Sequence, residues 1–473
     1  MENKRINGND LIALGYKENH AMGVALKINK KRLGFSREQM LENFKNVLED
    51  PASYTEDAIF RPLAEILLKM DTIEAETIPL NDAPAAYMIF GEEHIEEGAT
   101  KQMNVAMKLP VAVAGALMPD AHQGYGLPIG GVLATKNAVI PYGVGVDIGC
   151  RMALSIFDMP ASYLDEHKEK LKEILLKSTR FGAGNGYLRH ERIDHAVLDN
   201  TLFESDSFIR SLKDKAWSQL GSSGGGNHFV EFGVMEVAKA DELLGLAKGK
   251  YLALLTHSGS RGLGATIAGH YTKLAKEICK LPYEAQNLAY LDLSKAEGQA
   301  YWLAMNLAGD YASACHEVIH AKIRSTLGAE LLVKVENHHN FAWKELLNDE
   351  EVIVHRKGAT PAGKGVLGII PGSMATPGFL VRGKGEKRAI HSASHGAGRL
   401  MSRTQAIKTL SATELKTILE VNGITLLGAG MDEAPMAYKD IHTVMAAQTD
   451  LVDVVATFLP KIVRMADDGS RED

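Results

Sequence analysis

The first 80 residues carry apolar positions at helical spacing. Ser36–Gln39 has the form of a capping box, and Met40, Phe44 and Val47 follow it on one helical face. Pro51 cannot continue a helix, because it lacks the backbone N–H and its ring clashes with the preceding turn. The pattern therefore predicts a helix that begins at the capping box and ends before Pro51.

A second helix is predicted over residues 56–70, kinked or divided by Pro62. The stretch 78–86 combines two prolines with an Asn-Asp pair, which is typical of a linker. We therefore expect residues 1–80 to form a helical accessory region and residues 81–473 to form one large domain.

Beyond the linker, short apolar runs bounded by glycine turns predict strands, and longer segments of helical periodicity predict helices. The predicted strands are 111–118, 131–134, 139–146, 151–157, 228–232, 251–256, 331–335, 352–355 and 379–381. The predicted helices are 161–177, 264–280, 294–327, 412–421 and 438–458. Strands and helices do not alternate regularly and show no fixed-period repeat. This favours an α+β fold with mixed sheets and glycine-rich loops over a doubly wound sheet.

The composition is that of an ordinary globular chain. Its 473 residues are 45% hydrophobic and 23% charged, which suffices for a large core. We find no apolar run that would cross a bilayer or act as a signal peptide, and three cysteines cannot form a disulfide framework. We therefore expect a cytoplasmic protein without membrane contact. A net charge of −7 argues against general attraction to nucleic acid, so any such site must be a local basic patch.

Candidate chemistry centres on the run 143–150, in which glycines alternate with apolar residues. Glycine lets the backbone pass close to an ion, while Asp147 offers a hard oxygen and Cys150 a soft sulfur. Taken alone, the pair is better explained as a buried cysteine beside a turn-forming aspartate. Three histidine-containing segments further along the chain instead favour a metal site at this pair.

Three histidines lie at the ends of predicted strands, beside glycine, serine or asparagine. They are His228, His257 and His339, and each is a candidate metal ligand on a loop held by a rigid scaffold. His122 and His338 are intermediate cases. Most of the other histidines are expected to be hydrogen-bonded within the fold: His94, His167, His190, His195, His270, His316, His320 and His442.

A second glycine-rich region comprises residues 370–374 and 392–399, on either side of the basic segment 382–388. Glycine N–H groups and nearby cations suit phosphate. His395 lies among these features, which makes it a candidate nucleophile, general acid or hydrogen-bond donor to phosphate. Neither a P-loop nor a dinucleotide fingerprint is present, so those two nucleotide folds are not expected.

Six ordered motifs between about residue 92 and residue 465 resemble the RtcB family of RNA ligases. They are 145–150 (Gly-Val-Asp-Ile-Gly-Cys), 224–231, 257–262, 339–340, 371–374 and 394–399, and the late segment 432–439 matches as well. The resemblance does not cover the first 80 or so residues. The chain therefore resembles a divergent branch of this family that carries an extra N-terminal helical region.

The resemblance implies a GTP- and manganese-dependent RNA ligase of RNA repair or tRNA splicing. Such an enzyme joins an RNA 3′-phosphate or 2′,3′-cyclic phosphate to a 5′-hydroxyl through a guanylylated histidine, which would be His395 here. Two Mn²⁺ ions would be held by Asp147, Cys150 and His228 and by Cys150, His257 and His339, with the thiolate bridging them. An archease-like activator would be a further partner.

The resemblance also implies contacts for the nucleotide and the RNA. The guanylate would be held by Asn227, His228, Phe229, Val230, Glu231, His339, Asn340, Pro371, Gly372, Ser373, Met374, His395, Gly396, Ala397 and Gly398. Asp120, Lys357 and Arg399 match positions near the reacting ends. A basic track of Lys357, Arg399 and Arg403 is expected to contact the RNA.

The chain departs from the family pattern at three places. Where the family commonly has a lysine that contacts guanine, residues 464–466 read Arg-Met-Ala and an acidic tail follows. Arg151 stands where glycine is common, and residues 375–378 replace a stretch that usually offers a second serine. Strict use of GTP, and spliced tRNA as the substrate, are therefore left open.

Other interpretations remain open on the residues alone. The same metal set would activate water in a two-metal phosphoesterase that opens cyclic phosphates or hydrolyses nucleotides without ligation. A non-catalytic RNA-binding factor is a third class, although a decaying site would be expected to lose its buried histidines and thiolate. A Cys/His-rich site also favours zinc over manganese by affinity, so the chemistry alone does not fix the metal.

Overall fold

The computed structural model describes residues 6–17, 20–31 and 34–466, without the side chains of residues 70–76. The chain divides into two compact units, one formed by Met1–Pro79 and Cys279–Gln286 and the other by Leu80–Ile278 and Asn287–Asp473. Each unit is described by itself. The domains expected from the sequence, 1–80 and 81–473, are kept as a proposal, because the first unit also takes in a segment from the middle of the chain.

Helices and strands alternate irregularly along the described residues. The α-helices are α1 (Gly8–Ala13), α2 (His20–Lys30), α3 (Arg37–Glu49), α4 (Arg61–Glu76), α5 (Glu97–Ala106), α6 (Pro141–Val144), α7 (Tyr163–Glu166), α8 (Lys168–Ser178), α9 (Leu202–Ser205), α10 (Ser207–Gln219), α11 (Arg261–Ile278), α12 (Ala296–Leu327), α13 (Arg403–Thr409), α14 (Ala412–Val421) and α15 (Ile441–Ala446). The strands are β1 (Met88–Ile89), β2 (Ala112–His122), β3 (Ile129–Thr135), β4 (Ala138–Val139), β5 (Arg151–Pro160), β6 (Phe229–Val237), β7 (Gly249–Ser258), β8 (Leu291–Asp292), β9 (Leu331–His338), β10 (Asn340–Leu347), β11 (Glu350–Lys357), β12 (Ala359–Pro361), β13 (Leu367–Ile370), β14 (Gly378–Gly383), β15 (Ser392–Ser394), β16 (Thr425–Leu427) and β17 (Val452–Met465).

Helix α3 of the first unit forms as its sequence pattern predicts. The Ser36 hydroxyl accepts the Gln39 N–H at 3.1 Å, and the Gln39 side chain accepts the Ser36 N–H at 2.8 Å. Met40, Phe44 and Val47 are buried on one face of the helix. Reciprocal capping satisfies two N–H groups that the first turn leaves unbonded, and the apolar face supplies the packing energy.

Pro62 plays a different part from the one expected. It is the second residue of α4, which begins at Arg61, so it neither kinks nor divides the helix. Proline is tolerated there because the N–H groups of the first turn have no partner within the helix. The predicted helix over 56–70 was therefore placed a few residues too early.

The second unit contains two main mixed sheets, which confirms the α+β prediction. One has five strands in the order β1-β2-β3-β11-β10, and the other has eight, running β13-β14-β17-β6-β7-β5-β9 with β16 beside β17. Most pairs are antiparallel, but β1 pairs parallel with β2 and β16 with β17. Two short ribbons, β12-β15 and β4-β8, complete the set in the described residues.

Helices α8 and α12 cover one face of the eight-stranded sheet. Leu171 and Ile319 from these helices are buried with Phe232 and Leu254 from the strands. Burying each large apolar side chain contributes roughly 1.5–3 kcal/mol, so this layer holds the strands in a fixed register. No helix in the described part of the chain is long and apolar enough to cross a membrane.

Two sequence predictions fail in the second unit. The strand expected over 139–146 stops at Val139, because Pro141 begins the short helix α6. The helix expected over 438–458 is real only as Ile441–Ala446; a turn follows it, and β17 begins at Val452. The β-branched residues after 451 pack between β14 and β6, where tertiary pairing overrides a weak helical period.

Candidate active site

Four candidate ligands lie at one end of the eight-stranded sheet. Cys150 directly precedes β5, and His228 directly precedes β6. His257 is the penultimate residue of β7, which runs antiparallel to both of those strands. His339 directly follows β9, which is antiparallel to β5 on its other side. Antiparallel neighbours bring strand beginnings next to strand ends, so residues far apart in sequence meet at one edge.

The donor atoms of these residues converge. The Cys150 Sγ atom lies 3.1 Å from His257 Nε2 and 3.5 Å from His228 Nε2. His228 Nε2 lies 3.1 Å from Asp147 Oδ2, and His257 Nε2 lies 3.3 Å from His339 Nε2. Two buried sets result, Asp147–Cys150–His228 and Cys150–His257–His339, with the donor atoms of each set within 4.8 Å of one another. This buried group is able to hold metal ions.

The protonation of these side chains suits metal ligation. His257 Nδ1 lies 3.1 Å from the Asn227 carbonyl, so Nδ1–H donates and the Nε2 lone pair faces the thiol. Burial lowers the pKa of His257 and of His339 well below the ordinary value, which keeps both rings neutral. Burial raises the pKa of Asp147, but its hydrogen bond with His228 and nearby charges outweigh that effect and leave the pKa lowered. Metal ions require these deprotonated forms.

Two glycines of the motifs are required by close approach to the ligands. A Cβ atom at Gly259 would lie 2.0 Å from both carboxylate oxygens of Asp147, whose Oδ1 accepts the Ser260 N–H at 3.0 Å. A Cβ atom at Gly224 would lie 2.2 Å from His228 Nδ1. The glycines therefore let backbone loops close over the ligands, as the sequence pattern suggested.

Arg151 clamps the loop that carries Asp147 and Cys150. Its guanidinium bonds the Gly149 carbonyl at 3.3 Å, the Gly309 carbonyl at 2.7 Å and the Glu336 carboxylate at 2.7 Å. Its side chain is only 8% exposed, so the pair with Glu336 is shielded from water. The departure from glycine at this position thus has a structural explanation, and nothing in it changes the ligand set.

His395 lies beside the metal set and is oriented by Asp120. His395 Nδ1 lies 2.7 Å from Asp120 Oδ2, and the same oxygen accepts the backbone N–H groups of His395 and Gly396 at 3.1 and 3.3 Å. The His395 and His339 rings are 5.0 Å apart, centre to centre. Asp120 is fully buried in β2. The carboxylate expected near the reacting RNA ends is therefore packed against the candidate nucleophile.

Lys439 belongs to the same cluster, although it is not among the site residues predicted from the sequence. Its ammonium donates to the carbonyls of Ala121 at 2.7 Å and Pro119 at 3.3 Å. Burial raises the pKa of Asp120, but the charges of His395 and Lys439 outweigh it and leave that pKa lowered. The one signal for Lys439 was its place at the end of the 432–439 motif.

One cavity of about 990 Å³ contains most of the predicted site. The predicted residues that line it are Asp147, Cys150, Asn227, Phe229, Glu231, His257, His339, Asn340, Lys357, Pro371, Gly372, Ser373, Met374, His395, Gly396, Ala397, Gly398, Arg399 and Arg403. His228 lies behind the cavity wall against Asp147. The side chain of Val230 packs in the core with α8 and α12, and its predicted contact with the nucleotide remains a prediction. Alternation along β6 explains this, since Phe229 and Glu231 face the cavity.

The cavity has an apolar end around a buried acid. Glu231 lies there with Met374 and Met465, and burial raises the pKa of Glu231 well above its ordinary value. Ser373 Oγ lies 2.9 Å from the Thr376 hydroxyl, which also lines the cavity. Thr376 thus supplies a hydroxyl within the segment that lacks the family's second serine.

Lys357 is held inside the wall of the cavity. Its ammonium donates to the Tyr125 carbonyl at 2.6 Å and to the Tyr142 carbonyl at 3.2 Å. Burial lowers the pKa of Lys357 to about 7. The side chain therefore ties two loops of the wall together, and its predicted contact with RNA remains a prediction.

The two arginines of the expected basic track have acidic partners. Arg403 pairs with Asp432 at 2.8 Å and also with Glu433, and Arg399 Nη1 lies 3.5 Å from Glu433. The Tyr438 hydroxyl donates to Glu433, which is 2% exposed. This acidic segment belongs to the 432–439 motif, for which the sequence alone predicted no role. Its role in the structure is to hold both arginines at the cavity rim.

Fold and site together define an α+β protein with a buried Cys/His/Asp group, able to hold metal ions, beside a histidine on a glycine-rich loop. The family model described as "tRNA-splicing ligase RtcB" matches residues 102–466. The chain therefore belongs to the RtcB family.

Several curated relatives support this assignment. RNA-splicing ligase RtcB1 of Escherichia coli is 33% identical over 393 residues, which cover 77% of this chain and 93% of the relative. RNA-splicing ligase RtcB of Escherichia coli strain K12 is 34% identical over 396 residues, with the same shares of 77% and 93%. tRNA-splicing ligase RtcB of Thermococcus kodakarensis is 30% identical over 427 residues, covering 76% of this chain and 88% of the relative.

Proposed function

We propose that this chain is an RNA ligase that joins a 3′-phosphate or 2′,3′-cyclic phosphate end to a 5′-hydroxyl end, using GTP and two Mn²⁺ ions. The observation that carries the proposal is the 2.7 Å contact between His395 Nδ1 and Asp120 Oδ2, because His395 lines a cavity that also contains ligands of both metal sets. A ring nitrogen held in this way leaves Nε2 as the nucleophilic atom. RNA repair or tRNA splicing is the proposed role.

Asp147, Cys150 and His228 would hold one ion, and Cys150, His257 and His339 the second. The convergent Nε2 atoms, the buried thiol and the ionised Asp147 fit the donor preferences of divalent cations, and Cys150 belongs to both ligand sets. Bound there, the ions would neutralise phosphate charge during phosphoryl transfer. Manganese rather than zinc is proposed from the family resemblance, because affinity alone favours zinc.

In the first step, His395 Nε2 attacks the α-phosphorus of GTP. The new P–N bond replaces the bond to the β-phosphate oxygen, and pyrophosphate leaves. Asp120 accepts the Nδ1 hydrogen at 2.7 Å and stabilises the positive charge that develops on the ring. Lys439 lies against the carbonyls that flank Asp120 and keeps that carboxylate ionised.

In the second step, an oxygen of the RNA 3′-phosphate attacks the guanylyl phosphorus and the P–N bond breaks. The histidine is regenerated, and the RNA end is now a phosphoanhydride. The 5′-hydroxyl oxygen then attacks the RNA phosphorus, GMP leaves, and a phosphodiester bond forms. A 2′,3′-cyclic phosphate must first be opened by water to give the 3′-phosphate.

The nucleotide is proposed to occupy the apolar end of the cavity. Asn227, Asn340, Ser373 and the loop 396–398 would hold the guanylate, with Glu231 facing the base. Burial raises the pKa of Glu231 well above its ordinary value, which favours the protonated carboxyl, a group that donates as well as accepts hydrogen bonds. Met465 offers no charged hydrogen-bond donor to the base. Selectivity for GTP is therefore tested by measuring whether ATP competes with GTP in the labelling reaction. An archease-like activator remains a proposed partner.

The test is incubation of the metal-loaded protein with α-labelled GTP and no RNA, followed by measurement of acid-labile label on the protein. His395→Ala should abolish the label and retain the metal content. His442→Ala is the control, because His442 does not line the cavity. Labelling of His395→Ala equal to that of the wild type would reject the proposal.

A two-metal phosphoesterase is the second candidate, because the same ligand group would activate water. It requires no covalent protein intermediate. Release of free phosphate or nucleoside without any labelled protein, by the wild type and by His395→Ala alike, would favour it.

A further inference from the structure

A second cavity lies on the face of the eight-stranded sheet that carries α8 and α12. Its volume is about 610 Å³, within the range of roughly 300–1,000 Å³ usual for ligand sites. It is lined by the end of α8, by α12 and by residue 464 of β17. None of the proposed catalytic steps uses it.

The charged lining of this cavity is mostly positive. Lys177, Arg180, Lys322 and Arg464 line it, and Glu191 is the one acidic residue in the lining, which leaves an excess of three positive charges, 4 − 1. We call this the cationic cavity. Grouping cations in a concave site costs electrostatic free energy, which a bound anion relieves. The grouping stands out in a chain whose net charge is −7.

Three of the four cations lie against aromatic rings. The Arg180 guanidinium is 4.5 Å from the centre of the Tyr187 ring, and the Lys322 ammonium is 5.6 Å from the same centre. The Arg464 guanidinium is 5.5 Å from the centre of the Phe181 ring. Guanidinium planes and aromatic rings are the surfaces on which nucleic-acid bases stack, while the charges pair with phosphates.

The lysines and Arg180 of this cavity differ in their partners. Lys177 pairs with Glu173 and Arg180 with Glu191. Lys322 makes its contact with the Tyr187 ring and is half-buried on α12. Lys322 is therefore the cation of this cavity best placed to take up a phosphate.

The cationic cavity adjoins the active-site cavity through Met465, which lines both. Arg464 and Met465 are consecutive residues at the end of β17. Both line the cationic cavity, and Met465 also lines the active-site cavity.

We propose that the cationic cavity binds a phosphate and the adjoining base of the RNA strand, away from the ends that are joined. This inference rests on the proposed function for the identity of the strand. The contact is to phosphate and to a base face, so it holds RNA without reading its sequence. It selects long strands over short ones, because a short strand seated at the active site does not reach Lys322.

The test compares Lys322→Glu, Lys322→Arg and Lys213→Glu with the wild type. Lys213 is the matched control: it is also half-buried, and its ammonium lies 5.7 Å from the Phe203 ring, but it lines neither cavity. Binding of a trinucleotide and of an RNA of about 20 nucleotides, both with 3′-phosphates, is measured by fluorescence anisotropy at several salt concentrations. Labelling by α-labelled GTP without RNA is measured in parallel.

Lys322→Glu should weaken binding of the long RNA roughly tenfold and flatten the slope of log affinity against log salt by about 0.7. Trinucleotide binding and GTP labelling should stay at the wild-type level, Lys322→Arg should restore long-RNA binding, and Lys213→Glu should match the wild type. Wild-type affinity and slope in Lys322→Glu would overturn the site while leaving the ligase proposal intact. Absence of GTP labelling in the wild type would instead overturn the ligase proposal alone.

An acidic protein is the other partner that this charge could fit. Poly-glutamate is therefore added as a competitor at the same total charge as polyuridylate. Displacement of the long RNA by polyuridylate but not by poly-glutamate supports the proposal. If the two polymers displaced the long RNA equally from the wild type, and neither did so from Lys322→Glu, the proposal would be overturned in favour of an acidic protein partner.

Discussion

The Oδ2 atom of Asp120 lies 2.7 Å from Nδ1 of His395 and also accepts two backbone N–H groups of the loop that carries that histidine. One buried carboxylate thus fixes the loop, the ring and the tautomer together. In catalytic sites, a carboxylate that accepts a hydrogen bond from one ring nitrogen of a histidine keeps the other ring nitrogen unprotonated and reactive.

Asp120→Asn should slow GTP-dependent labelling of His395 about 10- to 100-fold, because a neutral amide orients the ring less firmly and does not stabilise its positive charge. The rate is measured by single-turnover labelling at saturating GTP. Asp241→Asn is the matched control, since Asp241 pairs with Arg382 and does not line the active-site cavity. Equal labelling rates in the wild type and Asp120→Asn would show that the carboxylate has no part in the chemistry.

Cys150 belongs to both buried ligand sets, whereas His257 belongs to one. Cys150→Ala should therefore lower metal content in both sets, and His257→Ala should mainly empty one. The measurement is elemental analysis of protein saturated with manganese and then desalted. Cys279→Ala is the control, because Cys279 is buried in the other unit. A single metal ion per chain in the saturated wild type would rule out the shared thiolate.

Much of the ligand set could be predicted from the sequence, because strand periodicity and glycine position carry local information. His228 directly precedes an apolar run, whereas His257 and His339 lie at or just after the end of one. Antiparallel pairing of these runs brings the three histidines together. Asp147 and Cys150 share one loop. The roles of these residues came from the family resemblance, whereas their positions at strand ends led to the expectation that they lie close together.

Other features depended on contacts that no local pattern shows. Asp120 is separated from His395 by 275 residues, and Lys439 reaches the same cluster from 318 residues beyond Ala121. The face to which Val230 points is fixed by the register of β6 against β7. The late helix was predicted too long because β17 obtains its stability from β6 and β14, which a single-sequence pattern does not reveal.

Gly259→Ala should displace the Asp147 carboxylate, because the added Cβ atom would lie 2.0 Å from both of its oxygens. We expect a loss of about 1–3 kcal/mol in the free energy of unfolding and reduced metal content in the set that contains Asp147. Chemical denaturation of the metal-free protein measures the first effect and elemental analysis the second.

The matched control for that substitution is Gly269→Ala on α11, where nothing lies within 4 Å of the added atom. Alanine is the better helix former, so this variant should gain about 0.5–1 kcal/mol. If both variants changed stability and metal content alike, the close approach at Gly259 would not be the cause.

Lys357 should make the stability of the protein depend on pH in the alkaline range. Burial lowers its pKa to about 7, whereas an unfolded lysine has a pKa of about 10.4. Between these values the unfolded chain binds more protons than the folded one, so this lysine makes the free energy of unfolding rise with pH. In metal-free protein, the wild type should therefore gain stability relative to Lys357→Met between pH of about 7 and about 10.

Lys273→Met, at a side chain that is 81% exposed, gives the baseline for removal of a surface lysine. A constant difference between the wild type and Lys357→Met across that range would show that Lys357 stays charged within the wall, held by the carbonyls of Tyr125 and Tyr142.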